Sequence, residues 1–200
     1  MSAKAISLNA RAVADCDLVV RAIKGREDGF EELVRRYQRP IAAYVYRMVG
    51  DYDAALDLTQ EVFIKVYSSL ERYRPEYKFS TWIYKIAHNA SVDYLRRSAS
   101  REQALTSEFD GEEREMPVLS RKLSPEQEYA VEERRSEIER VVRQLPAVYR
   151  ELIILRHQHD LSYDEIAEVT SLPLGTVKNR LFRARDLMRQ QFVERGITGI

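Results

Sequence analysis

Lys178, Asn179 and Phe182 fall within little more than one helical turn, and their types match what a DNA duplex displays in its major groove. A lysine donates to guanine O6 and N7, an asparagine pairs with adenine, and a phenylalanine covers a thymine methyl. Arg180, Arg183 and Arg185 suit phosphates, contacts that set register without reading sequence. Thr176, near the start of the same segment, completes the candidate duplex-binding set. Taken alone, the charges read equally well as a solvated face, and Phe182 as a residue packed on a neighbouring helix. What favours DNA is their place in a longer pattern, described below.

A second constellation spans Arg72 to Arg97. Tyr73, Tyr77, Phe79, Trp82, Tyr84 and Tyr94 alternate there with Arg72, Arg74, Lys78, Lys85, Arg96 and Arg97. Flat rings interleaved with cations suit unstacked, single-stranded bases. The ordinary alternative is a helix core, which fits Phe79 and Tyr94 and leaves Trp82 open. Tyr84, Lys85 and Asn89 lie off the Ile83–Ile86–Ala90 stripe and are expected at the surface. A third constellation, Asp51 to Lys65, carries Asp51, Asp53, Asp57 and Glu61 with no base before Lys65. Asp57, Gln60, Glu61 and Ile64 share one side at helical spacing. Spacing alone does not separate a solvated face from a docking surface for a basic partner.

Catalytic patterns are missing from the sequence. It has no phosphate-cradling glycine loop, and His157 and His159 form an isolated pair without an evident third ligand. Cys16 is the single cysteine, so neither an intrachain disulfide nor a multi-cysteine zinc site is available.

These side chains need elements to hold them. Ser162 and Glu165 form a capping box at the start of a short helix buried through Ile166 and Val169. A tight turn follows, and Pro173 suits the first turn of a second helix. Val177, Leu181, Ala184 and Met188 then make one apolar stripe at spacings of four, three and four, with the basic residues on the other faces. That is how a helix-turn-helix recognition helix is written.

Upstream, Leu18, Val19, Ala22 and Ile23 predict a short helix ended by Gly25. A longer helix, interrupted or bent near Pro40, carries Leu33, Tyr37, Ile41, Tyr44, Val45 and Met48. A third buries Ala55, Leu58, Val62, Phe63, Val66 and Leu70. A fourth, from about Thr81, turns Ile83, Ile86, Ala87, Ala90 and Tyr94 inward. Periodicity disappears from Ser98 to about Pro125, where acidic residues and serines predict a flexible linker. Beyond it, helices are expected to about Gln144 and from Pro146 to about His157.

The chain is thus expected to be all-α, with two small helical domains joined by a flexible acidic linker and a helix-turn-helix in the C-terminal one. Only seven glycines and six prolines interrupt 200 residues. The net charge is zero although 32% of residues are charged, which excludes a globally basic coat. Charge is instead segregated: Lys178, Arg180, Arg183, Arg185 and Arg189 face one acid, Asp186, while the linker is acidic. Local fields would steer a polyanion. No signal peptide and no run of membrane-spanning length is recognisable, so a soluble cytoplasmic protein is expected.

Three segments carry a family likeness: DLTQEVFIKVY, FSTWIYKIAHNASVDYLRR and LSYDEIAEVTSLPLGTVKNRLFRAR. In this order, around a variable linker, they resemble the extracytoplasmic-function sigma factors of the sigma-70 superfamily, over about Asp17 to Phe192. The resemblance implies a region-2-like domain over residues 1–97, a linker over 98–125 and a region-4-like domain over 126–200. It implies a subunit without catalytic residues or cofactor, whose partners are core RNA polymerase (the beta-prime clamp and beta subunits) and promoter DNA. Asp57, Gln60, Glu61 and Ile64 would dock on the beta-prime clamp. The Arg72–Ser80 loop would capture a flipped base of the minus-ten element, with Arg74, Lys78, Trp82, Tyr84, Lys85, Asn89 and Arg96 near the melted strand. Thr176, Lys178, Asn179, Phe182, Arg183 and Arg185 would meet the minus-35 duplex. An anti-sigma factor, often membrane-anchored, is a further expected partner, and this chain itself would not insert into a membrane. The alternative is a polymerase-independent helix-turn-helix regulator.

Overall fold

A computed structural model describes residues 15–102 and 136–196. Every regular element among them is helical, and the chain divides into two compact units. None of the described helices is long and apolar enough to cross a membrane.

The first unit begins with α1 (15–23). Leu18 and Val19 are buried, whereas Ile23, expected inside, is 46% exposed. So short a helix buries only one narrow strip. α2 (Glu27–Val49) crosses α1 so closely that a Cβ at Gly29 would lie 2.5 Å from the Leu18 carbonyl oxygen; only glycine fits that crossing. α2 runs on through Pro40, where an interruption or bend was expected. A proline inside a helix costs about 3 kcal/mol. Ile41, Tyr44 and Val45 beside it are fully buried, and each such side chain returns roughly 1.5–3 kcal/mol, so packing wins. Gly50 ends α2 with φ 80°, its amide donating to the Tyr46 carbonyl.

α3 (Tyr52–Ser69) is capped by Asp51, whose carboxylate accepts from the Ala54 amide at 2.7 Å. A 3₁₀ turn (Leu70–Arg72) and an irregular loop lead to α4 (Phe79–Glu102). α4 starts two residues before the expected Thr81 and extends past Ser98. The remainder of the predicted linker, from residue 103, lies outside the described residues. α2, α3 and α4 pack against one another around Leu33, Ile41, Val62, Val66, Ile83 and Ala87. Asp15, 2% exposed, ties α1 to α2 by accepting from Arg36 at 2.8 Å and from the Tyr37 hydroxyl at 2.5 Å.

The second unit contains α5 (136–144), α6 (Ala147–Ile153), the first part of α7 (Tyr163–Thr170), as far as Ala167, and α8 (Leu174–Glu194). The helix expected to about His157 does reach Gln158, but its last turn, Ile154–Gln158, widens to π geometry. α6 packs on α8, burying Leu152, Ile153, Val177 and Leu181. Arg195, just past α8, closes it onto α5 through Glu137 at 3.1 Å and Gln144 at 2.9 Å.

Candidate nucleic-acid interface

The helix-turn-helix forms as its residues predict. The Ser162 amide donates to Glu165 Oε2 at 2.7 Å, and the Glu165 amide returns to Ser162 Oγ at 3.2 Å. Two donors left free by the helix start are thereby satisfied. Pro173, expected in the first turn of α8, is instead its cap residue, its carbonyl accepting from the Thr176 and Val177 amides. Val177, Leu181 and Ala184 are fully buried, and Met188 is half-buried.

Burying that stripe turns the opposite face outward. Lys178, Asn179 and Arg183 are exposed, and Phe182 is 72% exposed. Phe182 therefore has no packing role within its unit that would account for a ring at this position. Thr176 is half-buried at the start of the helix. Arg185 is exposed and donates to the Tyr163 hydroxyl at 3.2 Å, while Arg156 lies 5.3 Å over the Tyr163 ring. Tyr163 thus presents Arg185 from below, a role not read from the sequence. Arg180 is half-buried, and its charge acts on the buried Glu151 carboxyl.

In the first unit, the 3₁₀ turn and the start of α4 bracket a short loop. Arg74, Tyr77 and Lys78 are exposed on it, and the Tyr77 amide closes a turn onto the Arg74 carbonyl at 3.1 Å. Trp82 is half-buried, its ring resting on Tyr73 at 5.4 Å and Phe79 at 5.7 Å between centroids. Asn89 and Arg96 are exposed and Lys85 is half-buried; Arg96 is paired with Asp93 at 3.1 Å. Tyr84 departs from the expected surface position. It is 4% exposed, meeting Tyr44 edge to face at 5.5 Å, because α4 is covered by both α2 and α3 and buries an arc wider than one stripe. His88, beside these residues, is held below its ordinary pKa by burial and by the charge of Lys85.

On α3, Asp57, Gln60 and Glu61 are exposed and Ile64 is 68% exposed. Leu56 and Tyr67 extend the same apolar surface, at 40% and 62% exposure; their alternation with charged residues had concealed them in the sequence. Tyr67 is braced by Phe30, 4.9 Å away. No cluster of three metal-ligating side chains occurs among the described residues.

Comparison with known proteins assigns the chain to a family. The Sigma-70 region 2 model matches residues 33–101, and the Sigma-70, region 4 model matches residues 135–188. The chain is 34% identical over 171 residues to the ECF RNA polymerase sigma factor SigW of Bacillus subtilis, covering 84% of this chain and 91% of that one. It is 38% identical over 178 residues to the ECF RNA polymerase sigma-E factor of Escherichia coli K12, covering 87% and 92%. Among solved structures, CnrH in complex with the cytosolic domain of CnrY aligns with a TM-score of 0.66 at 21% identity, over 90% of this chain and 98% of that one. The sigma factor RpoE, in complex with the anti-sigma factor NepR from Bartonella quintana, aligns at 0.67 and 20% identity, over 80% and 94%. At those identities the two structures speak for the fold, and the closer sequence relatives speak for the family: this chain belongs to the extracytoplasmic-function RNA polymerase sigma factors.

Proposed function

We propose that this sigma factor directs transcription initiation by joining three weak contacts on core RNA polymerase. Residues 1–97 act as the region-2 domain, 98–125 as the linker and 126–200 as the region-4 domain. Asp57, Gln60, Glu61 and Ile64 dock on the beta-prime clamp, with beta contributing further contacts. An exposed isoleucine set among carboxylates supports this, since it offers an apolar anchor inside a charged rim.

The region-4 domain reads the minus-35 duplex through Lys178, Asn179 and Phe182, with Thr176, Arg183 and Arg185 on the backbone. The observation that carries this reading is the ring of Phe182, 72% exposed among cations on a recognition helix. The region-2 domain holds the melted minus-ten strand with Arg74, Lys78, Trp82, Lys85, Asn89 and Arg96. Tyr84 supports that surface from the core and makes no contact of its own. Held together by polymerase, the two DNA contacts act as one bivalent contact. Trapping bases as they leave the stack offsets an unpairing cost of about a few kcal/mol. Recognition of this kind needs no catalytic residue.

The expected cellular setting is the cytoplasm, and the expected inhibitor an anti-sigma factor, membrane-anchored or soluble, that covers the polymerase-binding surfaces. One structural relative, the sigma factor RpoE, is held in complex with the anti-sigma factor NepR. The test is run-off transcription with purified core polymerase on a fragmented genomic library from the source organism. Defined transcripts should appear only when this chain is added. Silence, with core shown active by another sigma factor, would point to a polymerase-independent regulator.

A further inference from the structure

The loop that carries Arg74 and Lys78 runs over the surface between the 3₁₀ turn and α4. Residues 74–78 are exposed without exception, so no burial holds them in place. The Tyr77 amide closes a turn onto the Arg74 carbonyl, and the Lys78 carbonyl accepts from the Trp82 amide at 3.2 Å where the loop enters α4. A side-chain bond to the middle of the loop comes from Tyr73. The Tyr73 hydroxyl donates to the Tyr77 carbonyl at 2.6 Å, so the peptide groups on both sides of Tyr77 are held while its ring stays 48% exposed.

Tyr73 is itself anchored in the body of the unit. It is 7% exposed, with its ring 5.8 Å from Phe79 and 5.4 Å from Trp82. Its oxygen lies 3.5 Å from Cys16 Sγ. Because the hydroxyl hydrogen is committed to Tyr77, the thiol is the donor in that contact. A chain of bonds therefore runs from α1 through Tyr73 to the loop. Burial pushes the phenol well above its ordinary pKa, which keeps the hydroxyl a donor at every physiological pH.

We propose that Tyr73 is a positioning residue for base capture: its hydroxyl sets the loop over residues 74–78 in the geometry that selects one flipped base, and its ring sets the tilt of Trp82. This rests on the reading of that loop as the minus-ten capture element. Tyr73 touches no DNA in this scheme and acts through Tyr77 and Trp82. A hydroxyl with a purely structural role would change stability alone; a positioning hydroxyl changes which base is preferred.

The experiment compares wild type, Tyr73→Phe and Tyr73→Leu as reconstituted holoenzymes. A pool of randomised single-stranded DNA is selected on each and sequenced, and duplex affinity is measured on a promoter found by run-off transcription. Tyr73→Phe keeps the ring, so its melting temperature and upstream duplex affinity should match wild type. Its preference at the captured base should fall about tenfold, the equivalent of ~1.4 kcal/mol. Tyr73→Leu should lose that preference and also slow promoter opening, followed by 2-aminopurine fluorescence, through loss of support for Trp82. An unchanged preference profile for Tyr73→Phe, with wild type selective, overturns the positioning role. So does a profile that changes only in step with a lowered melting temperature. A wild-type holoenzyme that selects no single-stranded sequence at all overturns the capture reading, and the positioning role with it.

Discussion

The Leu172 amide donates to the Ala167 carbonyl at 3.2 Å across the turn between α7 and α8. That bond closes a Schellman-type helix end, and it holds Ser171 at φ 56°. A residue with a Cβ pays roughly 1–2 kcal/mol in that conformation, and the added freedom of glycine in the unfolded chain returns about half of it. Ser171→Gly should therefore stabilise the helix-turn-helix unit by about 0.5–1 kcal/mol. Thermal unfolding of the full chain checks this; a lower midpoint would mean the serine side chain makes a compensating bond.

Lys178→Ala should relax base preference in the upstream element, by about 1–3 kcal/mol if the lysine contact reads a base directly. Arg183→Ala should instead weaken binding uniformly across sequences and lower its salt dependence. Selection on a randomised duplex library separates the two behaviours. An unchanged profile for the lysine variant removes Lys178 from the reading set.

Trp82→Ala should impair promoter opening more than initial duplex binding. Base–aromatic stacking contributes about 1–3 kcal/mol per base, and only the melted strand can use it. Parallel measurement of closed-complex affinity and of opening rate tests the distinction, and equal losses in both would contradict it.

Ile64→Asp should weaken association with core polymerase by tenfold or more, about 1.4 kcal/mol, with little effect on folding because Ile64 is 68% exposed. Fluorescence anisotropy with labelled sigma gives the affinity. Unaltered binding, with the melting temperature unchanged, would move the docking surface away from this face of α3.

Glu151 has only 7% exposure, and burial raises its carboxyl to about 7, against the opposing charge of Arg180. The folded state then keeps a proton that the unfolded chain, with its ordinary value of 4.5, has already released. Stability from this group is present below that unfolded value and is lost as pH rises through about 7. Glu151→Gln should abolish this component of the pH dependence. At about pH 8 the variant should be the more stable protein, by on the order of 2–3 kcal/mol. Urea unfolding at several pH values tests the sign, and a wild-type advantage that grows with pH would refute it.

Much of the fold was legible in the residues themselves. The capping box of Ser162 and Glu165, the stripe of Val177, Leu181 and Ala184, and the ends of α2 and α3 depend on interactions within a few residues. Local chemistry is enough to specify them. Pro40 shows where local chemistry stops. Its penalty is local, but the burial that outweighs it comes from α3 and α4, which no window around residue 40 contains.

The candidate site divides along the same line. The residue types that could meet DNA or a partner were set by sequence: the basic and aromatic run from Arg72, the carboxylates of α3, and Lys178, Asn179 and Phe182. Only the tertiary structure decided which of them reach solvent. Tyr84 and Trp82 are two residues apart on one helix, yet Tyr84 is enclosed by Tyr44 while Trp82 keeps a half-open face on Tyr73 and Phe79. Helical periodicity predicts one buried stripe, and α4 is covered from two directions, so its exposed arc is narrower than its sequence implies. Tyr73 belongs to the same class: its tie to Cys16, 57 residues away, is long-range, and packing between helices that are distant in sequence alone brings those atoms together.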